Sequence, residues 1–160
     1  MSIRRCLPED GTPVKELISQ IMNAEFSDSQ SAYPTGDLEN IPHSYGGFGE
    51  AFFVAINGNK IIGTVGIKKE DERVALLRRL FVAPPYRRQQ IGLKLIEHAL
   101  QFCDEVGYDE VIFKTTSQME GAIKACQKKG FVQRAKIKLR EVELMKFAFS
   151  IRNGMNRSKN

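Results

Sequence analysis

The chain has 160 residues, 42% hydrophobic and 27% charged, with a formal net charge of +5. That length suits one domain with a sizeable core, and no apolar run approaches the roughly 20 residues needed to cross a bilayer. Three cysteines without Cys-x-x-Cys spacing and only two histidines give little material for a zinc site or a Ser-His-Asp triad. The lysines and arginines are dispersed, a pattern that suits an acidic small molecule as well as nucleic acid, and nucleic acid ranks last because the basic residues from Arg134 to Arg140 alternate without an aromatic stacking platform. The first ten residues, MSIRRCLPED, lack the apolar segment of a secretory signal, so a cytoplasmic location is expected.

In chain order, Ile3 to Leu7 reads as a strand, and Val14 to Phe26 as a helix whose apolar residues Val14, Leu17, Ile18, Ile21 and Met22 share one face. Residues 27–50 are rich in Ser, Gly and Pro and read as a long irregular segment with a short helix near Asp37 to Ile41. AFFVAI and KIIGTVGIKK flank Asn57-Gly58-Asn59, a hairpin signal resting on positive φ at both turn positions. A third strand from Val74 to Val82 completes an antiparallel meander. Ile91, Leu95, Ile96, Ala99, Leu100 and Cys103 then recur at helical spacing up to a Gly107 cap, and VIFKTT follows as a strand. Strand, helix and strand in succession make a crossover unit with parallel strands, so the sheet is mixed.

A second helix from Met119 to Lys129 stops at Gly130, and Phe131 opens a strand in which Arg134, Lys136, Lys138 and Arg140 alternate with Ala135, Ile137 and Leu139. That period puts the basic residues on one face, toward solvent. VELMKFAFSI is the last strand. The expected organisation is a single domain over 1–151 and a polar, disordered tail over 152–160.

One stretch carries chemistry. In LFVAPPYRRQQIGLKLIEHAL an apolar strand breaks at prolines, collects two arginines and two glutamines, and enters an amphipathic helix. A helix start exposes backbone N–H groups without partners and the positive end of the helix dipole, which together suit a phosphate.

The order of elements and these residues resemble the GCN5-related N-acetyltransferase (GNAT) superfamily over nearly the whole chain. The matching motif reads Leu80-Phe81-Val82, then Pro85-Tyr86-Arg87, then Arg88-Gln89-Gln90-Ile91-Gly92, with Gln90 at a usual glycine position; the expectation is that ordinary helical φ lets Gln90 stand there. A second match is Ala122-Ile123 followed by Lys128-Lys129-Gly130-Phe131. The resemblance implies an α/β (α+β) fold: a mixed, mostly antiparallel sheet with a splayed parallel pair and flanking helices. It implies acetyl-CoA as co-substrate without a metal, its pyrophosphate held by backbone amides from Arg88 to Leu93 with Arg87 and Arg88 assisting. Leu80 ends the strand, and the backbone of Phe81 and Val82 would meet the pantetheine arm.

The function implied is acetyl transfer to a primary amine by direct attack, with a catalytically silent acyl-CoA-binding module as the alternative and a homodimer left open. Departures affect the catalytic groups. Cys126 stands where relatives often carry a tyrosine acid, Met119 replaces an asparagine, and Leu76 replaces a strand glutamate. Candidates for moving the proton are therefore Cys126 as acid and, from the long segment, His43, Glu50, Asp37 and Glu39 as bases.

Overall fold

The computed structural model describes residues 1–28 and 33–152. Strands Ser2–Arg5 (β1), Ala51–Asn57 (β2), Lys60–Lys69 (β3) and Val74–Val82 (β4) lie side by side, each antiparallel to the next. The first strand is shorter than expected because Leu7 turns away at Pro8, its N–H captured by Asp10 Oδ2 at 2.7 Å. The hairpin between β2 and β3 turns one residue later than the Asn-Gly pair, at Gly58-Asn59, with Asn57 still paired to Lys60 and Gly58 at φ +64°. Asn59 stays out of the left-handed region, so one turn position, not both, uses positive φ.

Helix Gly11–Glu25 (α1) starts earlier than its apolar spacing indicates, with Pro13 inside the first turn, where a missing N–H costs nothing. The long segment after it folds into a 3-10 turn at Gly36–Leu38 and a one-turn helix, Ile41–Ser44 (α2). The crossover helix Ile91–Val106 (α3) ends on Gly107 at φ +104°, as its sequence requires. Strand Glu110–Thr116 (β5), helix Glu120–Lys128 (α4) and strands Val132–Leu139 (β6) and Val142–Ser150 (β7) complete the chain. The remainder of the expected disordered tail, from residue 153, lies outside the described residues.

The sheet order is β1-β2-β3-β4-β5-β7-β6, and among the described strands only β4 and β5 are parallel. Alternation along β2 explains the layering. Ala51, Phe53 and Ala55 point into a core shared with Leu95, Ile96 and Ala99 of α3, whereas Phe52 and Val54 point into a second core with Val14, Ile18 and Ile21 of α1. With helices on both faces, β2 and β3 read as nearly continuous apolar runs. At the other end, β6 is an edge strand exposed on both faces. Its basic residues do meet solvent, but so do Val132 and Ile137, each 58% exposed, because among the described residues no helix covers either side.

Candidate active site

The parallel pair β4/β5 is joined only from Val74↔Glu110 to Leu76↔Ile112. Beyond Leu76 the strands separate, while β5 continues its pairing with β7 to Thr116. Half a strand's backbone groups on β4 therefore lose their neighbour. Ala83 donates its N–H to Ile62 O at 2.8 Å, so alternation turns the N–H and C=O of Val82 the other way, into the gap. The Val82 carbonyl accepts from Arg87 Nε at 3.1 Å, which leaves its N–H facing the splay. Phe81 differs from expectation. Its carbonyl lies against Gly63 of β3, 3.2 Å from where a Cβ would sit, so its backbone belongs to the sheet and not to a bound arm.

Just past β4, the prolines form a 3-10 turn at Pro84–Tyr86, and the chain enters α3 through Gln90. The first intrahelical bond there is Lys94 N–H to Gln90 O, 3.1 Å, and no side chain caps the helix. The amides of Ile91, Gly92 and Leu93 thus lack intrahelical acceptors, at the positive end of a sixteen-residue helix dipole. Gln90 has φ +63° and ψ +17°, which corrects the expectation of helical φ: this is the left-handed region where glycine is at ease and a side chain is strained. Arg88 shares the conformation at φ +65°. Two such residues in a row of three bend the backbone so that its amides gather beside the helix end.

The two arginines part company. Arg87 is engaged in a bidentate pair with Glu25 at the end of α1, 2.7 and 2.8 Å, besides its bond to Val82 O. It fastens the turn and is not free to meet an anion, contrary to the sequence expectation. Arg88 is exposed, and among the described residues no carboxylate pairs with it. Gln89 is exposed beside it.

On the opposite face of the sheet, residues 33–45 are strapped across the splay. Arg79, 6% exposed, has φ +55° in a β-bulge where β3 and β4 change register. That twist aims its guanidinium at Asp37, with bonds of 2.5 and 3.0 Å, and at Pro34 O, 2.5 Å; Tyr45 donates its hydroxyl to the same carboxylate at 2.5 Å. Burial alone would raise the Asp37 carboxyl, but the bonds from Arg79 and Tyr45 outweigh it and hold the group below its ordinary value. Burial, with Asp37 as acceptor, pushes Tyr45 well up. Next to Pro34, the Tyr33 oxygen accepts from Thr116 N–H at 2.7 Å and bonds Thr115 Oγ1 at 2.9 Å. It stands where a β4 carbonyl would stand if the strands had stayed together.

The remaining sequence candidates lie elsewhere. Cys126 is fully buried in the core beneath α4, and desolvation pushes its thiol up to about 12. Glu50 clamps its own turn, accepting from Gly47 N–H at 3.1 Å and Lys69 N–H at 3.0 Å beside Lys68 Nζ at 3.2 Å; desolvation opposes, but these partners prevail and hold it ionised. His43 is exposed on α2, and its N–H is capped by Asn40. Glu39 pairs with Lys15. None of the four lines the splay.

A cleft of about 50 Å³ occupies the splay between Leu80 and Phe113, and a larger cavity of about 370 Å³ opens beside it over β5, β7 and β6; Tyr33 and Lys114 line both. Tyr33 and Arg79 are the site residues that sequence reading missed. Their signals were an aromatic in a polar segment and a charged pair, Arg78-Arg79, inside an apolar strand. Among the described residues no cluster of three or more His, Cys, Asp or Glu could hold a metal ion, and no helix is long and apolar enough to cross a membrane.

Comparison with known proteins gives a consistent result. The model of the acetyltransferase (GNAT) family matches residues 16–131. N-acetyltransferase 8 of Homo sapiens is 36% identical over 101 residues, 59% of this chain and 44% of that protein. Its Rattus norvegicus namesake is 28% identical over 126 residues, covering 76% and 52%. The chain spans about half the length of the curated relatives it matches. A solved GNAT-family acetyltransferase from Staphylococcus aureus has a TM-score of 0.81 at 26% identity, covering 94% of this chain and 98% of that one. A Salmonella typhimurium structure with its cofactor acetyl-CoA has a TM-score of 0.75 at 15% identity, covering 94% and 93%, a likeness of fold alone.

Proposed function

Because the chain belongs to the acetyltransferase (GNAT) family, we propose that it transfers an acetyl group from acetyl-CoA to a primary amine by direct attack. The observation that carries the reading is the pairing of an uncapped α3 start with a β4 edge that turns a free Val82 N–H into an open splay. The amides of Ile91, Gly92 and Leu93, with the backbone at Arg88 to Gln90 and the Arg88 guanidinium, would hold the pyrophosphate. Val82 would bond the pantetheine arm and polarise the acyl carbonyl, with Leu80 walling the cleft. Bound there, acetyl-CoA supplies an activated acyl group.

The chain's own contribution is placement and a proton path. Tyr33 holds a proton at its hydroxyl inside the splay, fixed by Thr115 and Thr116, and takes the part for which Cys126 is too deeply buried. The same reading puts the activity in one domain, 1–151, and in the cytoplasm, consistent with three unpaired cysteines. The open edge of β6 is the surface on which a second copy would add.

Calorimetric titration with acetyl-CoA tests the cofactor site. Saturable binding, weakened about tenfold by Arg88→Ala in line with the loss of one charge-assisted contact, is expected; no heat with the wild type ends the reading. Tyr33→Phe is expected to lower turnover by about 10²-fold with acetyl-CoA affinity kept, and an unchanged rate would remove Tyr33 from the proton path.

A further inference from the structure

The larger cavity is built from the strand face that the helices α3 and α4 do not cover. Phe113 and Phe147 of the β5/β7 pair point into the α3 core, so the alternating residues Lys114, Leu144 and Lys146 point to the opposite face. That is the face of Tyr33, and the cavity runs from its hydroxyl across Leu144 to Ala135 and Ile137 on β6. Its floor is apolar, and its volume of about 370 Å³ lies within the range of small-molecule sites.

Two lysines break the apolar lining. Lys114 and Lys146 are direct cross-strand partners, an arrangement that costs stability for like charges. Lys114 has Glu70 at 4.0 Å and stays 63% exposed; among the described residues no carboxylate pairs with Lys146. Two paired lysines in the lining of an apolar cavity repel a polycation and attract an anion. They also favour the neutral form of an amine held close by, which is the form that can attack.

The geometry assigns this cavity to the acyl acceptor, and assigns the acceptor to one chemical class: an amine that also carries a carboxylate and an apolar body, as in an apolar amino acid. Lys114 and Lys146 bind the carboxylate, Ala135, Ile137 and Leu144 take the apolar body, and the amine turns toward Tyr33. This rests on the transferase reading for what happens to the amine, but the recognition chemistry stands on the cavity itself. Polyamines, aminoglycosides and lysine-rich protein segments are excluded as preferred acceptors.

The test separates the two. N-acetyl-L-phenylalanine and N-acetyl-L-leucine are titrated against the full chain, each beside its uncharged carboxamide. The carboxylates are expected to bind at least tenfold tighter than the amides, and Lys114→Gln with Lys146→Gln to erase that preference while leaving amide affinity in place. Equal affinities, a preference that survives the double variant, or no binding of any of the four overturns the assignment. In a thiol-release assay, L-phenylalanine is expected to outrun phenethylamine and spermidine, and the reverse order overturns it too. Carboxylate-selective binding by a protein that does not bind acetyl-CoA would sink the transferase reading and leave the cavity's chemistry intact.

Discussion

Gln90 shows how much one dihedral angle can hide. Its side chain is exposed and its identity unremarkable, yet φ +63° places it where an L-residue pays about 1–2 kcal/mol relative to helical backbone. Gln90→Gly should therefore stabilise the fold by about 0.5–1 kcal/mol, part of the relief being lost to the freer unfolded chain. Urea unfolding checks it, and a loss of stability would mean that the left-handed turn is not retained. Asp37 makes the opposite case, a carboxylate whose removal strands a buried guanidinium. Asp37→Asn is expected to cost about 3–5 kcal/mol. Because the folded carboxyl is held below its unfolded value near 3.9, its contribution is complete above that pH and is lost as pH falls through the folded value. Acid unfolding followed by circular dichroism should show a shallower acid limb in the variant; an identical limb would mean that other carboxylates set it.

At the scale of elements, the helix α3 approaches the sheet at Gly63, where a Cβ would meet Leu95 Cδ1 at 2.9 Å and Phe81 O at 3.2 Å. Gly63→Ala should cost about 1–3 kcal/mol by overpacking and shift the end of β4, weakening acetyl-CoA binding together with stability. A variant that loses neither would show that α3 has room to move. The elements themselves were largely legible. Apolar spacing placed α3 because one of its faces is buried in the first core, and β4 because its residues enter both cores, and strand-helix-strand order required the parallel pair. The bulge at Arg79 was not legible: the charged pair Arg78-Arg79 marks the position, but the register shift arises from pairing with β3, a distant partner. The fate of Arg87 was hidden for the same reason. Its carboxylate, Glu25, is supplied by another helix, and the sequence places both residues without saying that they meet. Tyr33 lay in a segment whose shape depends on Arg79, so the site residue that spans the splay was two steps removed from any pattern.

For the whole molecule, the sheet acts as a partition. The α3 amides lie on one side of it and the cavity over β5, β7 and β6 on the other, joined among the described residues through the gap between β4 and β5. A route of this kind has two separate entrances. Neither substrate has to leave before the other arrives, and no side chain in the gap need carry the acetyl group between visits. Initial rates measured while both concentrations are varied should give intersecting double-reciprocal lines, the mark of a ternary complex. Parallel lines would require a covalent acetyl-enzyme, for which the fully buried Cys126 is poorly placed. For the proposed transfer, a strand pair that parts halfway along its length would set the kinetic order as well as the place of reaction.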